Sequence, residues 1–268
     1  MQVLNLIRPE KSDVKFNIIQ FPDGEPHIVL EDIDRKDEVF IICRVANPND
    51  LFILMQVGDI LNRQSVVFSI KILYLMSMRM DRVISYNEAF SLSVVANAIN
   101  SIKPVDVVIL EPHSSKSSYL IENGAQTKGI QYMPNIKDYL YVYPDAGAAS
   151  RYIIYPHLAV YCSKVRDTST GKLSGFKIEN PEVISSNPDK PLLVLDDLCD
   201  GGGTFAGIAA EIRKIDPNRK LSIYVTHMVN PKGIVTLSEN YDEVYFTNSY
   251  KDWQNEILPN NVKVIEVV

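Results

Sequence analysis

The sequence predicts an α/β fold of two tandem domains, each a mainly parallel sheet flanked by helices. Three observations carry this expectation. Short apolar runs rich in Val and Ile alternate with segments of helical period. The runs are continuous rather than alternating in polarity, as in strands buried on both faces of a parallel sheet. The whole alternation occurs twice, over residues 1–133 and again over 134–268.

In the first domain, residues 39–43, 66–74 and 105–110 read as strands. Residues 49–61 read as a helix with Asp50 as its N-cap and with Leu51, Leu54, Met55 and Gly58 on its inner face. Residues 88–99 read as another, with Phe90, Val94 and Ala98 beside Leu92, Val95 and Ile99 at helical spacing. The stretch 123–137 is polar, contains Gly and Pro and lacks periodicity, which marks it as the junction. In the second domain the run leading into Pro144 and residues 192–195, 222–226 and 262–268 are the expected strands. Phe205, Ile208, Ala209 and Ile212 recur on one face of a helix.

Composition narrows the function. The 268 residues are 46% hydrophobic and 22% charged, with a net charge of −6 and no long basic tract, which argues against a nucleic-acid binder. No apolar stretch is long enough to cross a bilayer. The opening MQVLNLIRPEK carries charge where a secretory signal needs an apolar segment. Cys43, Cys162 and Cys199 have no paired spacing, which fits a reducing cytoplasm and no zinc site. A soluble cytoplasmic protein is expected, and any anionic substrate must be bound by local groups.

The densest chemistry is VLDDLCDGGGTF, residues 194–205. It lies where a strand ends and a helix begins, and there free N–H groups and the positive end of the helix dipole favour phosphate. Gly201, Gly202 and Gly203 let the main chain approach an anion without a Cβ, and the Thr204 hydroxyl adds a donor. Asp196 and Asp197 repel phosphate; they suit the hydroxyls of a sugar, or a magnesium ion through water. A polyol bearing a phosphate, such as ribose 5-phosphate, satisfies both halves of the loop.

This loop resembles the phosphoribosyl-binding signature shared by ribose-phosphate pyrophosphokinases and type I phosphoribosyltransferases, and five further stretches resemble the pyrophosphokinases alone. FPDGE at 21–25 is similar to that family's FSDGE, which implies that Phe21, Asp23 and Glu25 contact adenine, generally across a subunit boundary. YLMSMRMDR at 74–82 resembles YARQDR, implying ATP contacts for Arg79 and Asp81. EPHS at 111–114 and YPDAG at 143–147 resemble DLHA and SPDAG, implying that His113 and Asp145 hold the catalytic Mg²⁺, with His113 also on the ATP side. SKVR at 163–166 resembles the family's KxR pair, implying that Lys164 and Arg166, with Arg79, are catalytic. ANPNDLFILM, NEAFSLSVVANAI and THMVNPKG are weaker echoes in the same order.

The resemblance implies two tandem phosphoribosyltransferase-type (type I) domains. It implies an Mg-dependent transfer of the β,γ-diphosphate of ATP to the 1-hydroxyl of a ribose 5-phosphate moiety, with AMP released. Asp196, Asp197, Asp200, Gly201, Gly202, Gly203 and Thr204 would bind the sugar phosphate, and the chain would assemble as a homo-oligomer, dimer or hexamer. Departures bear on the substrate. Met78 and Met80 replace the Ala and Gln of YARQDR, and Gly201 stands where a Thr usually follows the last Asp. The missing Thr side chain opens space at the 5-phosphate, which makes ADP-ribose, giving ADP-ribose pyrophosphate for NAD salvage, an alternative acceptor to ribose 5-phosphate. The helix that usually precedes FPDGE and the family's final helix are expected to be lacking. A silent regulatory relative and a type I phosphoribosyltransferase are the competing readings.

Overall fold

The computed structural model describes residues 1–152, 159–166 and 173–268, the side chains of 165, 166, 173 and 174 excepted. It divides into two compact units, Met1–Lys128 and Gly129–Val267. Each is a largely parallel sheet flanked by helices.

The first unit contains β1 (Gln2–Asn5), β2 (Lys15–Gln20), β3 (Pro26–Glu31), β4 (Val39–Val45), α1 (Pro48–Arg63) and β5 (Phe68–Leu75). It continues with α2 (Ser91–Ser101), β6 (Asp106–Leu110), α3 (Lys116–Leu120) and β7 (Gly124–Thr127). Five strands form a parallel sheet in the order β1-β4-β5-β6-β7, and β2 and β3 pair with each other as an antiparallel hairpin. Its core is drawn from both covered faces, with Ile41, Ile70, Ile72 and Ile109 packed among Leu54, Leu61, Leu92 and Ile99.

Asn47, not Asp50, caps α1. The Asn47 side chain accepts from Asp50 N at 3.1 Å, and the Asp50 carboxylate accepts from Asn47 N at 3.2 Å. Asp50 is therefore the third-residue partner of a capping box, and Pro48, preset for the first turn, moves the start upstream. Gly58 is needed at the inner face, because a Cβ there would lie 2.5 Å from Ile102 Cβ. Val94 is 65% exposed, so the α2 stripe is narrower than its spacing suggested. The polar 123–137 stretch holds the edge strand β7, whose GAQT sequence pairs through its backbone and leaves no apolar pattern to read.

The second unit contains β8 (Leu140–Tyr143), α4 (Ala146–Arg151), β9 (Ala159–Arg166), β10 (Leu173–Ile178), α5 (Glu182–Ser185) and β11 (Leu192–Cys199). It ends with α6 (Gly203–Ile215), β12 (Leu221–Met228), α7 (Pro231–Asn240), β13 (Glu243–Thr247) and β14 (Val262–Ile265). The seven strands run β10-β9-β8-β11-β12-β13-β14, with only β9 and β10 antiparallel. From β8 the chain proceeds outward to β9 and β10, then returns to place β11 on the other side of β8. That reversal makes a topological switch point, and open α/β sheets bind ligands at the carboxyl ends of the strands flanking it.

Successive residues of β11 serve opposite layers: Leu192 and Val194 join one apolar cluster, Leu193 and Leu195 the other. The strand does not end at Leu195 as its apolar run implied. Pairing with β12 continues through Asp196 opposite Val225 and Leu198 opposite His227. Backbone pairing tolerates the acids because their side chains fall at the crevice end of the sheet. Cys43, Cys162 and Cys199 are free and buried; burial raises all three thiol pKa values, those of Cys162 and Cys199 to about 12. Among the described residues, no helix is long and apolar enough to cross a membrane.

Candidate active site

Asp196 and Asp197 lie near the end of β11, Asp200 to Gly202 make the turn, and α6 begins at Gly203. Gly202 has φ 81°, and a Cβ on it would lie 2.9 Å from Thr236 Cβ, so this position demands glycine twice over. Around Gly201 and Gly203 a Cβ would meet nothing within 4 Å. No side chain caps α6, which leaves its first-turn N–H groups for an anion.

The turn is fastened from two directions. Asn230, the N-cap of α7, accepts from Lys232 N at 3.0 Å and donates to Asp200 Oδ1 at 2.9 Å. Gly233, in the first turn of α7, lets the Asp200 carbonyl approach where a Cβ would collide with it. The NPKG segment, only a weak echo in the sequence, thus props the acid-and-glycine turn. From the other side Arg151 Nη2 donates to Asp196 Oδ1 at 3.1 Å and to Asp197 Oδ1 at 2.9 Å.

Burial pushes the Asp196 carboxyl well above the usual carboxylate range, and the neighbouring Asp197 adds to the rise; Arg151 offsets only part of it. Burial works against the Arg151 charge, but Asp197 and Asp196 outweigh it and hold the guanidinium protonated. Sequence reasoning passed over Arg151. A basic residue in the last turn of a helix has an ordinary role there against the dipole, so its position carried no distinct signal.

Asp145 caps α4, accepting from Ala148 N at 3.1 Å, and Lys164 on β9 donates to its Oδ2 at 3.1 Å. Burial tends to raise the Asp145 pKa, but the Ala148 N–H and Lys164 outweigh it, so the group lies below its ordinary value and is ionised at neutral pH. Asp145 and Lys164 thus stand together where β8 ends, beside the switch point. The backbone of Arg166 closes β9, and its side chain is outside the described residues.

In the first unit Arg79 lies in the turn after β5, where Ser77 has φ 64°. Met78 is fully buried and Met80 is 56% exposed, so the first of these two departures from YARQDR points into the core. Asp81 is buried. It accepts from Arg82 Nε at 3.0 Å and from Ser114, while Lys116 Nζ donates to its carbonyl at 3.0 Å. Burial tends to raise the Asp81 pKa, but these hydrogen bonds and charges pull it below the ordinary value. This clamp joins the loop after β5 to the loop after β6, which carries half-buried His113 and the strained Glu111 at φ 42°.

Phe21, Asp23 and Glu25 form the turn of the β2–β3 hairpin. Phe21 N donates to Glu25 O at 2.9 Å, Glu25 N donates to Asp23 Oδ1 at 3.1 Å, and Gly24 supplies φ 90°. The Phe21 ring is 47% exposed and lies 6.3 Å from that of His27. Among the described residues no group of three or more His, Cys, Asp or Glu could hold a metal alone. His113 belongs to the first unit and Asp145 to the second.

No family model matches the chain. It is 25% identical over 259 residues to the ribose-phosphate pyrophosphokinase of Mycoplasmopsis pulmonis, covering 92% of this chain and 79% of that one. With the ribose-phosphate pyrophosphokinase of Thermococcus kodakarensis it shares 24% identity over 265 residues, 95% of this chain and 90% of the relative. The crystal structure of phosphoribosylpyrophosphate synthetase from Mycobacterium smegmatis superimposes with a TM-score of 0.81 at 16% identity, covering 100% of this chain and 95% of that one. That last likeness is one of fold: a mixed α/β arrangement with two phosphoribosyltransferase-type domains.

Proposed function

The chain belongs to the ribose-phosphate pyrophosphokinase family, and from that premise we propose that it moves the β,γ-diphosphate of ATP to the anomeric hydroxyl of a ribose 5-phosphate moiety. The 1-hydroxyl oxygen attacks the β-phosphorus and gives up its proton to solvent, the bond from that phosphorus to the oxygen shared with the α-phosphate breaks, and AMP leaves with that bond's electron pair. The observation that carries the reading is the meeting, at one switch point, of the acid-and-glycine turn with the Asp145–Lys164 pair.

Phosphoryl transfer asks little covalent chemistry of a protein; position and charge do most of the catalysis. Asp196, Asp197 and Asp200 accept from the sugar hydroxyls. The N–H groups of Gly201 to Thr204 and the Thr204 hydroxyl hold the 5-phosphate. Lys164 and Arg166 neutralise charge on the transferring phosphates, and Arg79 does so from the ATP side. Phe21 stacks on adenine with Asp23 and Glu25 beside it; supplied by a neighbouring copy, this turn makes the working form at least a dimer. Asp81 contributes to the ATP site by fixing the loops that carry Arg79 and His113.

The Asp145 carboxylate fits Mg²⁺. That ion takes oxygen ligands and keeps few from the protein when polyphosphate supplies the rest, and Asp145 is an ionised carboxylate at the crevice. Asp145 is the residue of the second unit that would hold it, and the resemblance adds His113 as a ligand. When bound, the cation would supply neutralisation of the polyphosphate charge.

The acceptor is ribose 5-phosphate, with ADP-ribose the second reading because space is open around Gly201 and Gly203. AMP release from Mg-ATP, measured in parallel with each acceptor and with products identified by mass, tests this. Release with either acceptor supports a diphosphotransferase and names the acceptor. No release with both overturns the assignment in favour of a silent, regulatory relative, and product formation from PRPP plus a nucleobase would make the chain a phosphoribosyltransferase.

A further inference from the structure

We infer that Arg151 is a positioning residue of the acceptor loop: it holds Asp196 and Asp197 side by side as a charge-balanced acceptor pair for the sugar diol. The assignment rests on the proposed reading of that loop as the sugar-phosphate site. It comes from the geometry of a single amino group. Nη2 of Arg151 reaches Oδ1 of both acids, at 3.1 and 2.9 Å, and Asp196 Oδ1 also accepts from Asp197 N at 2.9 Å. The side chains of Arg151, Asp196 and Asp197 are 16%, 15% and 3% exposed, so solvent screens them little. Two adjacent, largely buried carboxylates repel each other, and without a cation one must take up a proton or swing away. With Arg151 present the trio carries a net formal charge no more negative than −1, which suits neutral hydroxyls and avoids driving off the nearby phosphate.

The placement of Arg151 in the chain adds to the argument. It is the last residue of α4, whose N-cap is Asp145, paired with Lys164. One six-residue helix therefore fixes a carboxylate on the diphosphate side at one end and the counter-charge of the acceptor acids at the other. Arg151 touches no reacting atom in this scheme; it acts through Asp196 and Asp197.

The test compares Arg151→Met, Arg151→Lys and Arg151→Met/Asp196→Asn in the full chain. In steady-state assays with ribose 5-phosphate, Arg151→Met is expected to raise the acceptor KM by roughly tenfold or more while the ATP KM moves less than about twofold, and Arg151→Lys recovers most of the loss. In thermal unfolding without substrates, Arg151→Met lowers Tm, and adding Asp196→Asn, which removes one of the two like charges, restores much of it. Equal rises in both KM values, or a Tm loss that Asp196→Asn leaves untouched, would overturn the inference and reduce Arg151 to packing. Should the wild type release no AMP with any acceptor, the functional reading falls, and the unfolding comparison still decides whether Arg151 balances the acid pair.

Discussion

The first unit runs its parallel sheet in one direction, β1-β4-β5-β6-β7, whereas the second reverses between β8 and β11. The loops differ accordingly. After β5 and β6 the chain is tied down by a buried carboxylate, Asp81, and carries two non-glycine residues at positive φ, Ser77 and Glu111. Around the carboxyl ends of β8 and β11 it gathers the paired acids of β11, Arg151 at the end of α4, Lys164 of β9 and the glycine turn. Two sheets of the same layered plan thus take different parts: one locks loops into place, the other gathers uncapped helix N–H groups and charges at the carboxyl ends of its strands. Strand order, more than layer composition, decides where a site can form.

If chemistry concentrates at the second unit's crevice, the largest effect falls on Lys164. Lys164→Ala should lower turnover by about 10³-fold with little change in ATP affinity, because the ammonium acts on charge that develops during transfer. Single-turnover AMP release together with ATP binding separates the two. Unchanged turnover would remove Lys164 from the mechanism and break the contrast between the units.

Gly202→Ala comes next. The left-handed φ of 81° and the approach to Thr236 at 2.9 Å together make the change cost about 2 kcal/mol. The loss should appear in thermal unfolding and as a raised KM for the acceptor rather than for ATP. A variant as stable as the wild type would mean that the turn is not held in this conformation.

Asp81→Asn probes the lock of the first unit. Its partner Arg82 is 66% exposed and regains water when released, so the cost at neutral pH is about 1–2 kcal/mol. The sign of the pH dependence follows from the lowered pKa of Asp81. A carboxylate whose folded value lies below its unfolded one, about 3.9, stabilises the fold above that pH and loses the contribution as pH falls through the folded value. The gap in unfolding temperature between wild type and Asp81→Asn should therefore be full at neutral pH and close below about pH 4. A gap that persists in acid would assign Asp81 a role in shape rather than charge.

Much of this was legible in the sequence because it depends on local patterns. Buried strands declared themselves as apolar runs, and the Phe205, Ile208, Ala209 and Ile212 stripe is buried as its spacing required. The acid-and-glycine turn was visible because glycine, carboxylate and strand-to-helix position are all local. What escaped depends on contacts distant in sequence. Arg151 is 45 residues from Asp196 and Asn230 is 30 from Asp200, so neither has a spacing to read. β7 has no apolar pattern, and β11 runs through its acids because pairing with β12 is a backbone property. The Asp50 capping box was missed for a smaller reason: Asn47 and Asp50 are both good caps, and Pro48 decides between them.

The smallest expected effect is the most discriminating for substrate. At Gly201 a Cβ would meet nothing within 4 Å, and its φ is not in the left-handed region, unlike that of its neighbour Gly202. Gly201→Thr should therefore change stability by no more than about 0.5 kcal/mol. It restores the hydroxyl that the resemblance leads one to expect and fills the open space beside Gly201. If that space serves an extended acceptor, Gly201→Thr lowers kcat/KM for ADP-ribose and spares or improves that for ribose 5-phosphate. Equal effects on both acceptors would mean that the open space at Gly201 has no part in choosing between them, and specificity would then have to be sought away from the loop.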